Sequence, residues 1–152
     1  MLKRLEIPVI WHHFGDGVLE KELLHKANQE LPQNVKFVYH GRVQNKEVIH
    51  EFLKTKANVF LHLSETEGLP VSFMQSLSCG IPIICCNVGG VSEIVNEQNG
   101  FLLDKGFDLN HVRFYLKEMN AKRTTFDPIS LKQNAKKMFD KNINYKSFLE
   151  WK

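Results

Sequence analysis

Apolar and polar positions fall into two alternating kinds of block, short β-branched runs and longer stretches with helical spacing. Residues 7–14 predict a strand, with Ile7, Val9, Ile10, Trp11 and Phe14 as its apolar positions. Gly15-Asp16-Gly17 turns it into an amphipathic helix from Val18 to about Glu30, with Leu19, Leu23, Leu24 and Ala27 on one face. Residues 35–39 predict a second strand, ending at Gly41-Arg42, after which Asn45 caps a helix that buries Val48, Ile49, Phe52 and Leu53. Residues 58–63 predict a third strand. A helix follows with Pro70 in its first turn and Val71, Met74, Leu77 and Ser78 on one face, and Gly80-Ile81-Pro82 stops it. Residues 81–86 read as a buried fourth strand and residues 100–103 as a short fifth, with a short helix carrying Glu93 between them. Residues 107–119 predict a further helix. Asp127 and Pro128 open a last one, with Leu131, Ala135, Met138 and Phe139 on its core face and a continuation over residues 144–151.

Strand–helix alternation of this kind predicts an α/β fold, a Rossmann-like parallel sheet with helices on both faces, as one domain over residues 1–152. Ligands of such sheets sit beyond the carboxyl ends of the strands. Those ends read HHFGDG, YHGR, HLSETEG and CCNVGG, the glycine-rich and polar turns of the chain. The third turn leads into the helix at Pro70, leaving the amides of Gly68, Leu69, Val71 and Ser72 open to an anion such as phosphate. Gly89-Gly90 allows backbone to approach a ligand closely. GDGVLE hints at a dinucleotide fingerprint, but Glu20 stands where its third glycine belongs. His12, His13, His40 and His62 end predicted strands, where packing and hydrogen bonding are their ordinary roles and ligand contact the sharper one.

Composition narrows the class. The 152 residues, 43% of them hydrophobic, suit a globular domain with a core of its own. No apolar run approaches the roughly 20 residues that span a bilayer, and the start of the chain reads as no signal peptide. Cys79, Cys85 and Cys86 lack metal-ligand spacing and read as reduced, buried thiols of a cytoplasmic protein. No metal and no cofactor is expected. The net charge of +3 is uneven: from His111 onward ten Lys/Arg face four Asp/Glu. Such a segment is a solvated helix face or a peripheral contact with anionic membrane; nothing interleaves aromatic with basic residues as nucleic-acid binding would require.

Over residues 64–103 the motif EGLP, then GIP, a strand, and GG followed by Glu resembles the signature of the family 4 glycosyltransferases, retaining enzymes of the two-domain GT-B architecture. Glu67, Gly68, Leu69, Pro70, Gly80, Pro82, Gly89, Gly90 and Glu93 match it; the second glutamate of the family pattern is Gln75 here. The resemblance covers nearly the whole chain as the C-terminal, nucleotide-sugar-binding half of such an enzyme, and its closing helices, about residues 128–151, resemble those that cross back toward the partner domain. It implies that Glu67 contacts donor-sugar hydroxyls beside the reacting carbon and stabilises positive charge there. It implies that Gly68, Leu69, Pro70, Val71 and Ser72 shape the diphosphate site, that Gly15 and Gly17 admit the nucleotide, that Arg42 and Val43 read the base, that Gln75 faces the ribose, and that Gly89 and Gly90 line donor phosphate or sugar.

The family begins this domain with a strand followed by an Arg and a Lys that neutralise the diphosphate, and an N-terminal domain holds the acceptor. The sequence given starts after these, so the chain is expected to be part of a larger transferase and inactive alone. With strand order 3-2-1-4-5-6 the wanting strand is the central one. Either the strands around Val9 and Val59 pair directly or a gap separates them. The expected function is transfer of a sugar from a nucleotide diphosphate sugar, of UDP or GDP type, to a glycan or lipid-linked acceptor in surface polysaccharide assembly, in the cytoplasm or at the inner face of the membrane. Two alternatives stand beside it: a sugar-nucleotide epimerase of the same architecture, and a non-catalytic sugar-nucleotide-binding module.

Overall fold

The structure is a computed structural model that describes residues 4–122 and 124–142. The helical continuation expected over residues 144–151 lies outside the described residues. The chain forms two compact units, Met1–Val48 with Asp108–Thr124 and Ile49–Phe107 with Thr125–Lys152. The five strands make two parallel ladders, β1-β2 and β3-β4-β5.

The first unit contains β1 (Val9–Phe14), α1 (Glu20–Glu30), β2 (Val35–Gly41) and α4 (Leu109–Asn120). β1 and β2 run parallel from Val9 opposite Val35 to Phe14 opposite Gly41, with a register shift after His13. Period-two alternation puts Trp11, His13, Phe37 and Tyr39 on one face, where their rings pair edge-on, tilted or stacked. His12, Phe14 and His40 share the opposite face; His12 Nδ1 and His40 Nε2 lie 2.9 Å apart, and Phe14 stacks on His40. The Asn34 side chain donates to the carbonyls of Leu5 and Ile7, tying down the chain ahead of β1 and burying Leu5. α1 begins at Glu20, later than expected. Val18 and Leu19 stay exposed, and only Ala27 of the expected face is fully buried. α4 is capped by Asp108, whose carboxylate accepts from the Asn110 amide, and it buries Val112.

α2 (Asn45–Thr55) starts in the first unit and ends in the second. Asn45 is its first helical residue rather than a cap, and of its four expected core positions only Phe52 is buried. Ile49 and Leu53 are about half exposed, at 43% and 50%. The remaining elements of the second unit are β3 (Phe60–His62), α3 (Val71–Ser78), β4 (Ile83–Cys86), a single 3₁₀ turn at Val91–Glu93, β5 (Gly100–Leu103) and α5 (Pro128–Phe139). β4 is central and buried at every residue, which is why it reads as a continuous apolar run. Gly100 starts β5 because a Cβ there would lie 2.2 Å from the Ile83 carbonyl oxygen.

The core of this unit joins Phe73 and Leu77 of α3, Ile83 and Cys85 of β4, Val91, Ile94 and Val95, and Leu131 and Ala135 of α5. Burial pushes the Cys85 thiol up to about 12, which leaves it inert as a nucleophile at neutral pH. α3 ends in a Schellman motif: Gly80 N–H donates to the Leu77 carbonyl at 2.9 Å and Ile81 N–H to the Ser76 carbonyl at 3.0 Å. Gly80 has φ +77, and a Cβ there would come 2.8 Å from the Pro128 carbonyl oxygen, so this turn also admits the start of α5. Asp127 caps α5 by accepting from Ile129 and Ser130, with Pro128 at the first helical position as the sequence predicts.

Candidate functional site

The carboxyl end of β3 delivers the chain into an acidic turn held from two sides, at the Glu67 side chain by His62 and at the Glu67 backbone by Gly89. His62, the last residue of β3, lies with its ring stacked on Phe60 and edge-on to Phe73, centroids 6.0 and 5.2 Å apart. Its Nε2 is 2.5 Å from Oε1 of Glu67. A carboxylate only accepts, so Nε2 carries the hydrogen and donates it. This bond, helped by one from Ser64, holds the Glu67 carboxyl below the usual carboxylate range against the opposing pull of burial. The two side chains keep about a quarter of their surface open, 26% and 23%, so solvent reaches the pair.

From the other side, Gly89 presses on the Glu67 backbone. With φ +55, it would place a Cβ 1.8 Å from the Glu67 carbonyl oxygen. A Cβ at Gly90 would meet the Leu69 side chain at 3.0 Å and the Gly68 carbonyl at 3.3 Å. The glycine pair was expected to let backbone approach a ligand. Its nearest partner is the Glu67–Leu69 turn itself, which explains the two glycines whether or not a ligand is bound.

Past the turn, Pro70 is the N-cap of α3, one position ahead of the expected first turn, and it makes no side-chain cap. No acidic residue occupies the first turn of α3. Gly68, Leu69 and Val71 are exposed there, which leaves an uncapped helix start of the kind that favours anions. The buried face of α3 is Phe73, Ser76 and Leu77. The expected face through Val71, Met74, Leu77 and Ser78 is corrected accordingly: Val71 is 56% exposed, Ser78 is exposed and Met74 only half-buried. Ser76 can sit in the core because its hydroxyl donates to the Ile81 carbonyl at 3.0 Å. Gln75 is half-buried one turn into the helix, and Glu93 is exposed on the 3₁₀ turn.

The second unit thus gathers Glu67, Gly68, Leu69, Pro70, Val71, Ser72, Gly89 and Gly90 around one turn. Gly15, Gly17, Arg42 and Val43 belong to the first unit. There Gly15, at φ +127, donates its N–H to the Gly41 carbonyl at 2.8 Å. Gly15 and Gly17 line a cavity of about 370 Å3 with His13, Glu20, Lys26 and Tyr39. Burial, reinforced by the negative charges of Glu20 and Asp16, pushes the Tyr39 hydroxyl up. Arg42 is exposed and Val43 half-buried just after β2. His62 is the site residue whose partner the sequence did not disclose: a strand end and a turn five residues on share no periodicity that would announce the bond.

Parallel ladders with connecting helices define an α/β fold, and a carboxylate-bearing turn opens onto an uncapped helix at the carboxyl end of one of its strands. The chain belongs to the family described as glycosyl transferases group 1, whose profile matches residues 1–138. It is 32% identical over 96 residues to the O-antigen biosynthesis glycosyltransferase WbnH of Escherichia coli, an alignment spanning 63% of this chain and 26% of that protein. It is 29% identical over 112 residues to a GDP-mannose-dependent monoacylated alpha-(1-6)-phosphatidylinositol monomannoside mannosyltransferase of Corynebacterium glutamicum, across 69% of this chain and 28% of the other. The chain therefore spans about a quarter of the length of these relatives. Among solved structures, the lipopolysaccharide outer core galactosyltransferase WaaB in its apo form is similar with a TM-score of 0.74 at 19% identity, over 90% of this chain and 38% of that one. The sucrose-phosphate synthase of Thermosynechococcus elongatus is similar at a TM-score of 0.57 and 20% identity, over 84% and 31%. These likenesses establish the fold, that of GT-B glycosyltransferases.

Proposed function

We propose that the chain is the donor-binding part of a retaining glycosyltransferase that moves a sugar from a nucleotide diphosphate sugar to a glycan or lipid-linked acceptor in surface polysaccharide assembly. The observation that carries this reading is the Glu67 turn. A carboxylate kept ionised by His62 stands at the head of α3, next to exposed backbone with no side-chain cap. The two groups suit the two ends of a glycosyl diphosphate. The helix start takes the diphosphate, whose charge grows as the bond to the sugar breaks. The carboxylate accepts sugar hydroxyls and steadies the positive charge that develops on the sugar. Family membership and a relative named for O-antigen biosynthesis support the substrate class.

Calorimetric titration of the chain tests this directly, with UDP-glucose and GDP-mannose each compared with its own nucleoside diphosphate. A hydrogen bond to a charged acceptor contributes about 1.5–3 kcal/mol. Glu67→Gln should therefore weaken binding of the sugar nucleotide that the chain accepts by roughly tenfold or more, while the matching nucleoside diphosphate binds as before. Equal losses for both ligands, or no loss for either, would remove Glu67 from the sugar site.

A further inference from the structure

His62 has no assigned part in the site, yet three features converge on it. Its ring is fixed between Phe60 and Phe73, the latter fully buried on α3. Its Nε2 reaches Oε1 of Glu67 at 2.5 Å. The backbone of that same glutamate is held in place by Gly89, where no Cβ fits. A glutamate on an exposed turn ordinarily samples several rotamers, and ordering it on ligand arrival costs affinity. Here ring, bond and glycine fix both ends of the side chain before any ligand arrives.

We infer that His62 is a positioning residue, whose Nε2–H orients the Glu67 carboxylate for the sugar hydroxyls of the donor. The inference rests on the donor role proposed above for Glu67. His62 itself touches no reacting atom in this scheme. It acts through Glu67, as an outer hydrogen-bond partner that sets the orientation of a functional group. A purely structural histidine packed between two phenylalanines would need only its shape, so the two roles separate on where the side chain's N–H group lies.

His62→Gln and His62→Asn make that separation in the full chain. The Gln amide nitrogen falls near the place of Nε2, while that of Asn falls near Nδ1 and cannot reach Glu67. In a carbon-13 NMR titration of the Glu67 carboxyl, wild type and His62→Gln should keep a depressed midpoint. His62→Asn should let it rise toward the ordinary glutamate value of about 4.3. Sugar-nucleotide affinity should fall roughly tenfold in His62→Asn and stay within about threefold in His62→Gln, with the nucleoside diphosphate unaffected by either. Identical Glu67 midpoints in all three forms would overturn the inference, as would a His62→Gln variant as impaired as His62→Asn. A changed midpoint beside unchanged sugar-nucleotide affinity in Glu67→Gln would leave the His62–Glu67 coupling standing and overturn the donor role of Glu67 instead.

Discussion

A methyl group at position 89 has nowhere to go, because it would lie 1.8 Å from the carbonyl oxygen of Glu67. Gly89→Ala should displace the Glu67 turn and abolish sugar-nucleotide binding while the helical circular dichroism of the chain persists; retained affinity would show the turn to be indifferent to its position. The Glu67 carboxyl is depressed in the folded chain by His62. Its contribution to stability is therefore present above the unfolded glutamate value, about pH 4.3, and is lost as pH falls through the lower folded value. Glu67→Gln should flatten that part of the stability profile between neutral pH and pH 3, measured by urea unfolding; an unchanged slope would contradict the coupling. Gln75, placed by the family resemblance against the ribose, keeps one acceptor oxygen and offers an NH₂. Gln75→Glu should tighten nucleotide binding by about 1 kcal/mol, roughly fivefold, and Gln75→Leu should weaken it, with free pyrophosphate unchanged. Equal affinities would place Gln75 outside the site. At this scale the sequence was informative where residue type and spacing suffice, as at Asp127 and Pro128. It singled out His62 and Glu67 separately but was silent on the bond between them, which forms only because β3 ends where it does.

Element by element, strand runs and helix starts were legible to within a few residues, whereas buried faces were not. α3 shows why: a serine with a hydrogen-bond partner, Ser76, takes a core position that a reading by hydrophobicity gives to Val71. Ile49 and Leu53 of α2 likewise stay half exposed where the apolar stripe predicts burial. α5 followed its pattern more closely. Leu131 and Ala135 are buried, Phe139 packs against the core, and Met138 is the most open of the four at 37%. Leu131→Ala should cost about 2–5 kcal/mol in denaturant unfolding, since it empties a site 2% exposed; a loss below about 1 kcal/mol would mean that the core closes over the cavity. The other side of this segment exposes Lys132, Lys136, Lys137 and Lys141. We propose that this face meets anionic membrane near a lipid-linked acceptor, where each lysine at the surface contributes about 1 kcal/mol. Binding to phosphatidylserine vesicles should weaken with salt and vanish when the four lysines become Gln. Equal binding to neutral vesicles would leave α5 as a solvated face.

For the molecule as a whole, the neighbours within each ladder follow the expected order: β2 beside β1 in one, and β3-β4-β5 in the other. That much was legible because parallel strand–helix repeats admit few topologies. The division into two compact units was not, since hydrophobic periodicity reports an element's own face and not which elements share a core. The ladders also differ in burial. Every residue of β4 is buried, and none of β1 is fully so. Amides of Ile83–Cys86 should therefore exchange with solvent slowest, and those of Val9–Phe14 measurably faster; equal protection would contradict this ranking. The central claim is that the turn from Glu67 into α3 receives a nucleotide diphosphate sugar. The most direct measurement follows the backbone amide signals of the chain by NMR during titration with UDP and GDP, and with uridine and guanosine as diphosphate-free controls. The amides of Gly68, Leu69, Val71 and Ser72 should shift with a diphosphate and stay still with the nucleosides. Shifts confined to other residues, or the same shifts with nucleoside alone, would contradict it.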